Sequence, residues 1–216
     1  MEDKNSISYI VGIPYFNRYD LLRKALNSIQ LFLKNTLVID NSYTKELSNI
    51  PYIYNMVKIY TPNKSLSFAK AMNIFQKIGI AKNCDVVMYM HTDAEALPGT
   101  PEKLLELIAE LKNNNRKWGV VFTNYDTLAA YNIEAIKEVG HYDINLPFYY
   151  TDCDWYLRIR QAGYEMINSN LPVKHLVSSS IKSDRKILKY VIENIETWKQ
   201  YYLKKHGLND REGHGC

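Results

Sequence analysis

Short apolar runs alternate with helix-patterned stretches along most of the 216-residue chain, and this alternation limits the fold more than any other feature. The runs "ISYIVGI" (7–13), "TLVID" (36–40), "MVKIY" (56–60), "DVVMYM" (85–90) and "WGVVFTN" (118–124) have the length and continuity of strands buried on both faces. Between them, "RYDLLRKALNSIQLFL" (18–33) carries leucines at helical spacing, and "LSFAKAMNIFQKIG" (66–79) reads as a helix closed by Gly79. Another helix opens near Thr100, where "TPEK" supplies an N-cap, a proline at the first helical position and an early acid. Strands separated by helices predict an α/β fold: one domain with a mainly parallel central sheet and helices on both faces. A chain of this length buries about 70% of its unfolded surface in such a domain.

In open sheets of this kind, ligands bind beyond the carboxyl ends of the strands. Three of the runs end in polar residues: Pro14–Asn17, Asp40–Ser42 and His91–Asp93. The common phosphate cradles GxGxxG and GxxxxGK[ST] are missing, and so is the hydrolase elbow GxSxG. A nucleotide bound here needs another counter-charge, and a divalent cation is the obvious one. The net charge of +4 admits an anionic small substrate or a weak attraction to a membrane surface, but falls short of a nucleic-acid footprint. No apolar run approaches the roughly 18 residues of a membrane span. The polar start "MEDKNSIS" is unlike a signal peptide. Three cysteines without CxxC spacing argue against a disulfide framework. Both features point to a cytoplasmic protein.

Several stretches, in order along the chain, resemble the GT-A glycosyltransferases, specifically the inverting family 2 and its rhamnosyltransferase-like members. "VGIPYFNRYDLLRKALNSI" is similar to the family's opening segment, and "LVIDNS" to its nucleoside-contacting "VVDNAS". "MHTDAEALPG" sits where the family has "LNNDTEVEPG", which aligns Asp93 with the last acid of the metal-binding DxD. "VGHYDINLPFYYTDCDWYLRIRQAGYEM" resembles the segment holding the catalytic "ED" pair, and "VKHLVSSS" a late histidine element. The resemblance implies a GT-A domain over residues 1–181, with a C-terminal helix and polar tail (182–216) packed on it. It implies transfer of a sugar from a UDP- or dTDP-type nucleoside diphosphate sugar to a hydroxyl of a glycan, lipid-linked or protein-linked acceptor, assisted by Mn²⁺ or Mg²⁺. The chain departs from the pattern at His91, which replaces the first DxD acid, and at Thr151, which replaces the Glu of the "ED" pair.

Inverting transfer requires a stabilised diphosphate leaving group and a base for the acceptor hydroxyl. Asp93 is the metal-ligand candidate; its alternative is a loop acid capping the helix near Thr100. His91 either joins the metal as a nitrogen ligand, contacts phosphate, or merely ends its strand. The resemblance raises His175 from a core histidine to a metal or diphosphate contact. Asp152 and Asp154 lie two apart at a helix start and so diverge: one faces a pocket while the other caps the helix or pairs with Arg158, or both are simply N-terminal helix acids. The resemblance selects Asp152 as base. Asp40 follows a strand, placed either to hold a ribose or base or to close a turn. The resemblance places Pro14, Tyr15, Asn17, Asn73 and Thr92 at nucleotide-sugar positions, and Trp155 is a candidate platform for a sugar. His206 and His214, in a polar tail, carry no expected role. The 182–206 stretch is amphipathic, with Ile187, Tyr190, Val191, Ile195 and Trp198 on one stripe. It either packs on the domain or lies on a membrane surface. Two further functional readings stand beside transfer. One is a non-catalytic GT-A module that binds a sugar nucleotide. The other is a sugar nucleotidyltransferase, although the glycine- and arginine-rich first loop of that class is missing.

Overall fold

The computed structural model describes residues 6–176 and 179–209; His214, the end of the tail and part of "VKHLVSSS" lie outside them. The elements run β1 (Tyr9–Tyr15), α1 (Tyr19–Ser28), β2 (Thr36–Asp40), α2 (Pro51–Met56), β3 (Lys58–Tyr60), α3 (Phe68–Ala81), β4 (Val86–Met90) and β5 (Ala94–Ala96). They continue with α4 (Thr100–Asn113), β6 (Trp118–Thr123), β7 (Tyr125–Asn132), α5 (Ile133–Val139), α6 (Thr151–Gln161), β8 (Glu165–Asn168), β9 (Val173–His175), α7 (Ser179–Lys182) and α8 (Arg185–His206).

Seven strands form one sheet in the order β3-β2-β1-β4-β7-β6-β8. The β3, β2, β1 and β4 strands are mutually parallel, as the alternation of apolar runs and helices demands. The β7 strand, which the sequence reading missed, runs antiparallel to both β4 and β6, and β8 returns parallel to β6. Along β1, alternate side chains serve opposite faces: Val11, Ile13 and Tyr15 meet α1 and α4, while Ile10 and Gly12 face α3. Both faces are therefore covered, which explains why β4 is buried at every residue.

Several boundaries differ from expectation, each for a local reason. Helix α1 stops at Ser28, whose hydroxyl donates to the Ala25 carbonyl and accepts from the Ala96 amide; a short 3₁₀ turn over 30–35 follows. Pro51 starts α2 and so shortens the third strand to Lys58–Tyr60. Gly79 does not close α3: it lies inside the helix, buried against Val87. Thr100 is not an N-cap. Gly99 takes that position with φ 83°, which glycine adopts without strain, and the Thr100 hydroxyl donates to the Pro172 carbonyl. Asp184 caps α8 by accepting from the Lys186 and Ile187 amides, so the long helix begins later than 182.

Helix α8 lays Val191, Trp198, Tyr202 and Leu203 against Leu146 and Cys153. Cys84 is a buried free thiol. No helix among the described residues is long and apolar enough to cross a membrane.

Gly12 lets α3 rest directly on the middle of the sheet, since a Cβ there would lie 2.3 Å from the Phe75 ring. Gly12→Ala should lower unfolding stability by about 1–3 kcal/mol, the usual cost of overpacking a core. Phe75→Leu in the same chain should recover part of that loss, because the two changes share one contact. Urea unfolding midpoints of the two single variants and the double variant measure both effects. A Gly12→Ala midpoint equal to wild type would mean that the helix shifts freely.

Candidate active site

The chain leaves β1 toward β2 on one side and returns at β4 on the other, so the loops after β1 and β4 part and leave a crevice at their carboxyl ends. A cleft of about 850 Å³ opens there. Pro14 and Thr92 form its floor at the switch point, and the Thr92 hydroxyl donates to the Pro14 carbonyl at 2.8 Å, tying the two strand ends together.

Three strands converge on the end of β4. Because β7 is antiparallel, its first residues lie on the same rim as the last residues of β4: Leu128 faces Met90, and the His91 amide donates to the Thr127 carbonyl at 2.9 Å. This arrangement brings in Asp126. A second, two-stranded sheet pairs β5 with β9 and sets His175 opposite Ala94, beside Asp93; the Leu176 amide donates to the Asp93 carbonyl at 3.1 Å. His175 Nε2 then lies 3.2 Å from Asp93 Oδ1, and His91 Nδ1 lies 3.8 Å from the same oxygen. His91 Nε2 is 3.9 Å from Asp126 Oδ1. One ligand atom from each of His91, Asp93 and His175 falls within 4.8 Å of the others, close enough to share a cation. Burial holds the His91 imidazole below its ordinary pKa, with His175 adding to the effect and Asp126 and Asp93 opposing it. A neutral imidazole is the form that ligates metal. Two nitrogens and one carboxylate oxygen suit Mn²⁺ better than Mg²⁺, which prefers oxygen throughout.

Asp152 is the second residue of α6 and lines the cleft, half-buried, with its Oδ1 accepting from the Cys153 amide. Burial first, and the Asp126 charge second, push its carboxyl up to about 6. Asp154 points the other way, as expected of residues two apart on a helix, and is fully buried. It takes Arg158 Nε at 3.0 Å, Lys205 Nζ at 2.5 Å and His206 Nε2 at 2.9 Å. His206, assigned no role from sequence, is thus a partner of a buried carboxylate.

Other sequence candidates are committed elsewhere. Both Asp40 oxygens are used within its own turn: Oδ1 accepts from the Ser42 amide and hydroxyl, and Oδ2 from the Leu47 amide. This is the turn chemistry that stood as the alternative for a "DNS" sequence, and Asp40 itself does not line the cleft. The cleft instead receives Asn41, whose Oδ1 accepts from the Leu66 amide. Tyr15 is buried with its hydroxyl on Glu46. Asn73 clamps the backbone of Tyr142, accepting from its amide and donating to its carbonyl. Trp155 is no sugar platform: it is fully buried, stacks on Tyr142 and donates Nε1–H to the Gly140 carbonyl. Asn17 is half-buried and does not line the cleft. The cleft does gather Pro14, His91, Thr92, Asp93, Asp152 and His175.

Solved structures share this architecture. GalNAc-T7, crystallised with UDP, GalNAc and Mn²⁺, superposes with a TM-score of 0.65 at 15% identity, covering 93% of this chain and 51% of that one. TarS of S. aureus gives 0.60 at 14% identity over 93% of this chain and 43% of that one. Its residues 1–349 in complex with UDP give 0.54 at 16% identity, over 71% and 55% of the two chains. The chain thus spans about half the length of the structures it matches. No protein-family model matches the sequence, and no curated protein sequence does. At such identities the likeness shows the fold, which is GT-A.

Asp93→Asn removes the carboxylate that both histidines face. Mn²⁺ affinity, read by calorimetry or by manganese relaxation, should fall by about tenfold or more. Unchanged affinity would remove Asp93 from the site.

Proposed function

We propose that the protein is an inverting glycosyltransferase that moves a sugar from a UDP- or dTDP-type nucleoside diphosphate sugar to an acceptor hydroxyl, with Asp152 as general base. The observation that carries the reading is a single cleft, on a GT-A fold, that holds both a His-Asp-His triad spaced to hold a cation and a carboxylate of raised pKa. The UDP and Mn²⁺ in the GalNAc-T7 crystals, and the UDP in a TarS crystal, support the choice of donor and cation.

His91, Asp93 and His175 would hold the divalent cation. When bound, such an ion neutralises the diphosphate and helps it leave. Thr92 keeps the two strand ends at a fixed spacing beneath that site, and Asn41 borders it from β2. Asp152 accepts the proton of the acceptor hydroxyl as the new C–O bond forms on the face opposite the leaving group. A carboxyl of ordinary pKa is a poor proton acceptor near neutrality, so the raised value at Asp152 suits this work. Single-displacement inversion needs one base beside the acceptor hydroxyl, and Asp152 would supply it.

Asp152→Asn is nearly isosteric and removes the basic oxygen. Turnover should drop by about 10²-fold or more while UDP binding persists. In the wild type a base must be ionised, so kcat/KM should rise as pH climbs through about 6 and level off above it. Stability moves the other way. The folded pKa of Asp152 lies above its unfolded value near 3.8, so the folded state holds the proton more tightly. The resulting penalty on folding grows as pH rises from about 4 and is complete above about 6. Asp152→Asn escapes it and should melt higher than wild type at neutral pH, with the gain vanishing near pH 4. A product that keeps the donor's anomeric configuration, or normal turnover in the variant, would overturn the assignment.

A further inference from the structure

We infer that the part of the cleft between the 144–149 segment and α8 is an acceptor subsite for a neutral saccharide. The inference rests on the glycosyl-transfer reading and narrows its acceptor.

The walls of this part are apolar, with three aromatic rings set beside Ile144, Pro147 and Ile187. Phe148 meets Tyr190 edge-on at 6.2 Å and Trp198 at 6.1 Å, and Tyr190 lies 5.7 Å from Trp198. All three rings line the cleft, yet Tyr190 remains 47% exposed, so much of its ring stays open. Among these rings the lining places polar groups, Asn145 and the Asp152 carboxylate. A pyranose matches this alternation. One face of the sugar is a patch of C–H groups that covers aromatic carbon, and its rim of hydroxyls seeks donors and acceptors. An acyl chain matches it poorly, because each polar group on the wall would lose water without gaining a partner.

Charge decides which saccharide. The described lining carries three carboxylates, Asp93, Asp126 and Asp152. Lys70 is its single lysine or arginine, and that side chain is exposed at the start of α3. Asp126 and Asp152 lie close enough for the charge of one to raise the pKa of the other. A uronic acid or sugar phosphate placed against Asp152 would add a further anion, and the described lining has no arginine to receive it. The donor diphosphate escapes this problem because the cation triad serves it.

The subsite is also held rigid, which lowers the cost of binding. Asp143 accepts from the Tyr201 hydroxyl at 2.9 Å, from Lys205 Nζ at 2.8 Å and from the Asn145 amide at 2.9 Å. The end of α8 thereby pins the start of the segment that forms the facing wall.

The experiment uses the full chain with Mn²⁺ and UDP-sugars. Acceptors are methyl glycosides of neutral hexoses and N-acetylhexosamines, each tested beside the matching uronic acid and sugar phosphate. Neutral acceptors should give kcat/KM at least about tenfold above their anionic counterparts. Tyr190→Ala, at a half-exposed position that should not disturb folding, should raise the KM for the neutral acceptor by about tenfold while kcat changes by less than about twofold. Preference for an anionic acceptor, or an unchanged KM in Tyr190→Ala, overturns the subsite. If UDP does not bind and no donor is consumed with any acceptor or with water, the glycosyl-transfer reading itself falls, and this inference falls with it.

Discussion

A buried carboxylate organises the carboxyl-terminal half of the molecule. Asp154 is wholly removed from solvent, and a lone charge in that position would be prohibitively costly. It therefore must gather partners, and it gathers them from two elements: the Arg158 guanidinium from its own helix, and the Lys205 ammonium and the His206 imidazole from the last turn of α8. Arg158 also donates to the carbonyls of Val139 and His141, fixing the connection between α5 and α6. Removing one partner of such a cluster typically costs about 3–5 kcal/mol, because the remaining charge stays buried. The consequence for the site is directional. With Asp154 held toward α8, the geometry of a helix turns Asp152, two residues earlier, toward the cleft.

The sequence disclosed the parallel half of this architecture well, since strands buried on both faces leave continuous apolar runs that stand out between helices. It disclosed the antiparallel half poorly. The β7 strand, "YDTLAAYN", has a polar start, and its alanines give little apolar contrast, so it reads as a loop between β6 and α5. Asp126 was lost with it. The same logic explains His175. Its motif match marked it as a candidate, but only the β5–β9 pairing, made across some eighty residues of chain, brings it beside Asp93. Local pattern cannot report a contact of that range.

The candidates that moved out of the cleft share a cause. Asp40, Tyr15, Asn73 and Trp155 all lie within a few residues of the rim, and each has a polar group satisfied by nearby backbone or side chain. A polar atom with no water nearby takes the closest partner, and near a strand end that is often its own turn. Asp40 shows this most plainly, with three donors converging on its carboxylate from residues 42 and 47. For Asp152 and Asp154 the sequence narrowed the choice to one facing the pocket and one facing a partner. Arg158, at i+4 from Asp154, already pointed to the right one.

What remains in the cleft is a field of unusual sign for a protein whose net charge is +4. Three carboxylates and two imidazoles face a space that one exposed lysine borders. An uncompensated cluster of this kind repels phosphate, and this is why the proposed donor would need a cation beside it. The placement of the groups fits that requirement. Asp93 sits between two histidines where an ion would be shared, while Asp126 and Asp152 extend the negative potential away from it. Burial first, and the Asp126 charge second, raise the pKa of Asp152, so the carboxylates that would favour a cation also suit Asp152 to the proton-accepting role proposed for it.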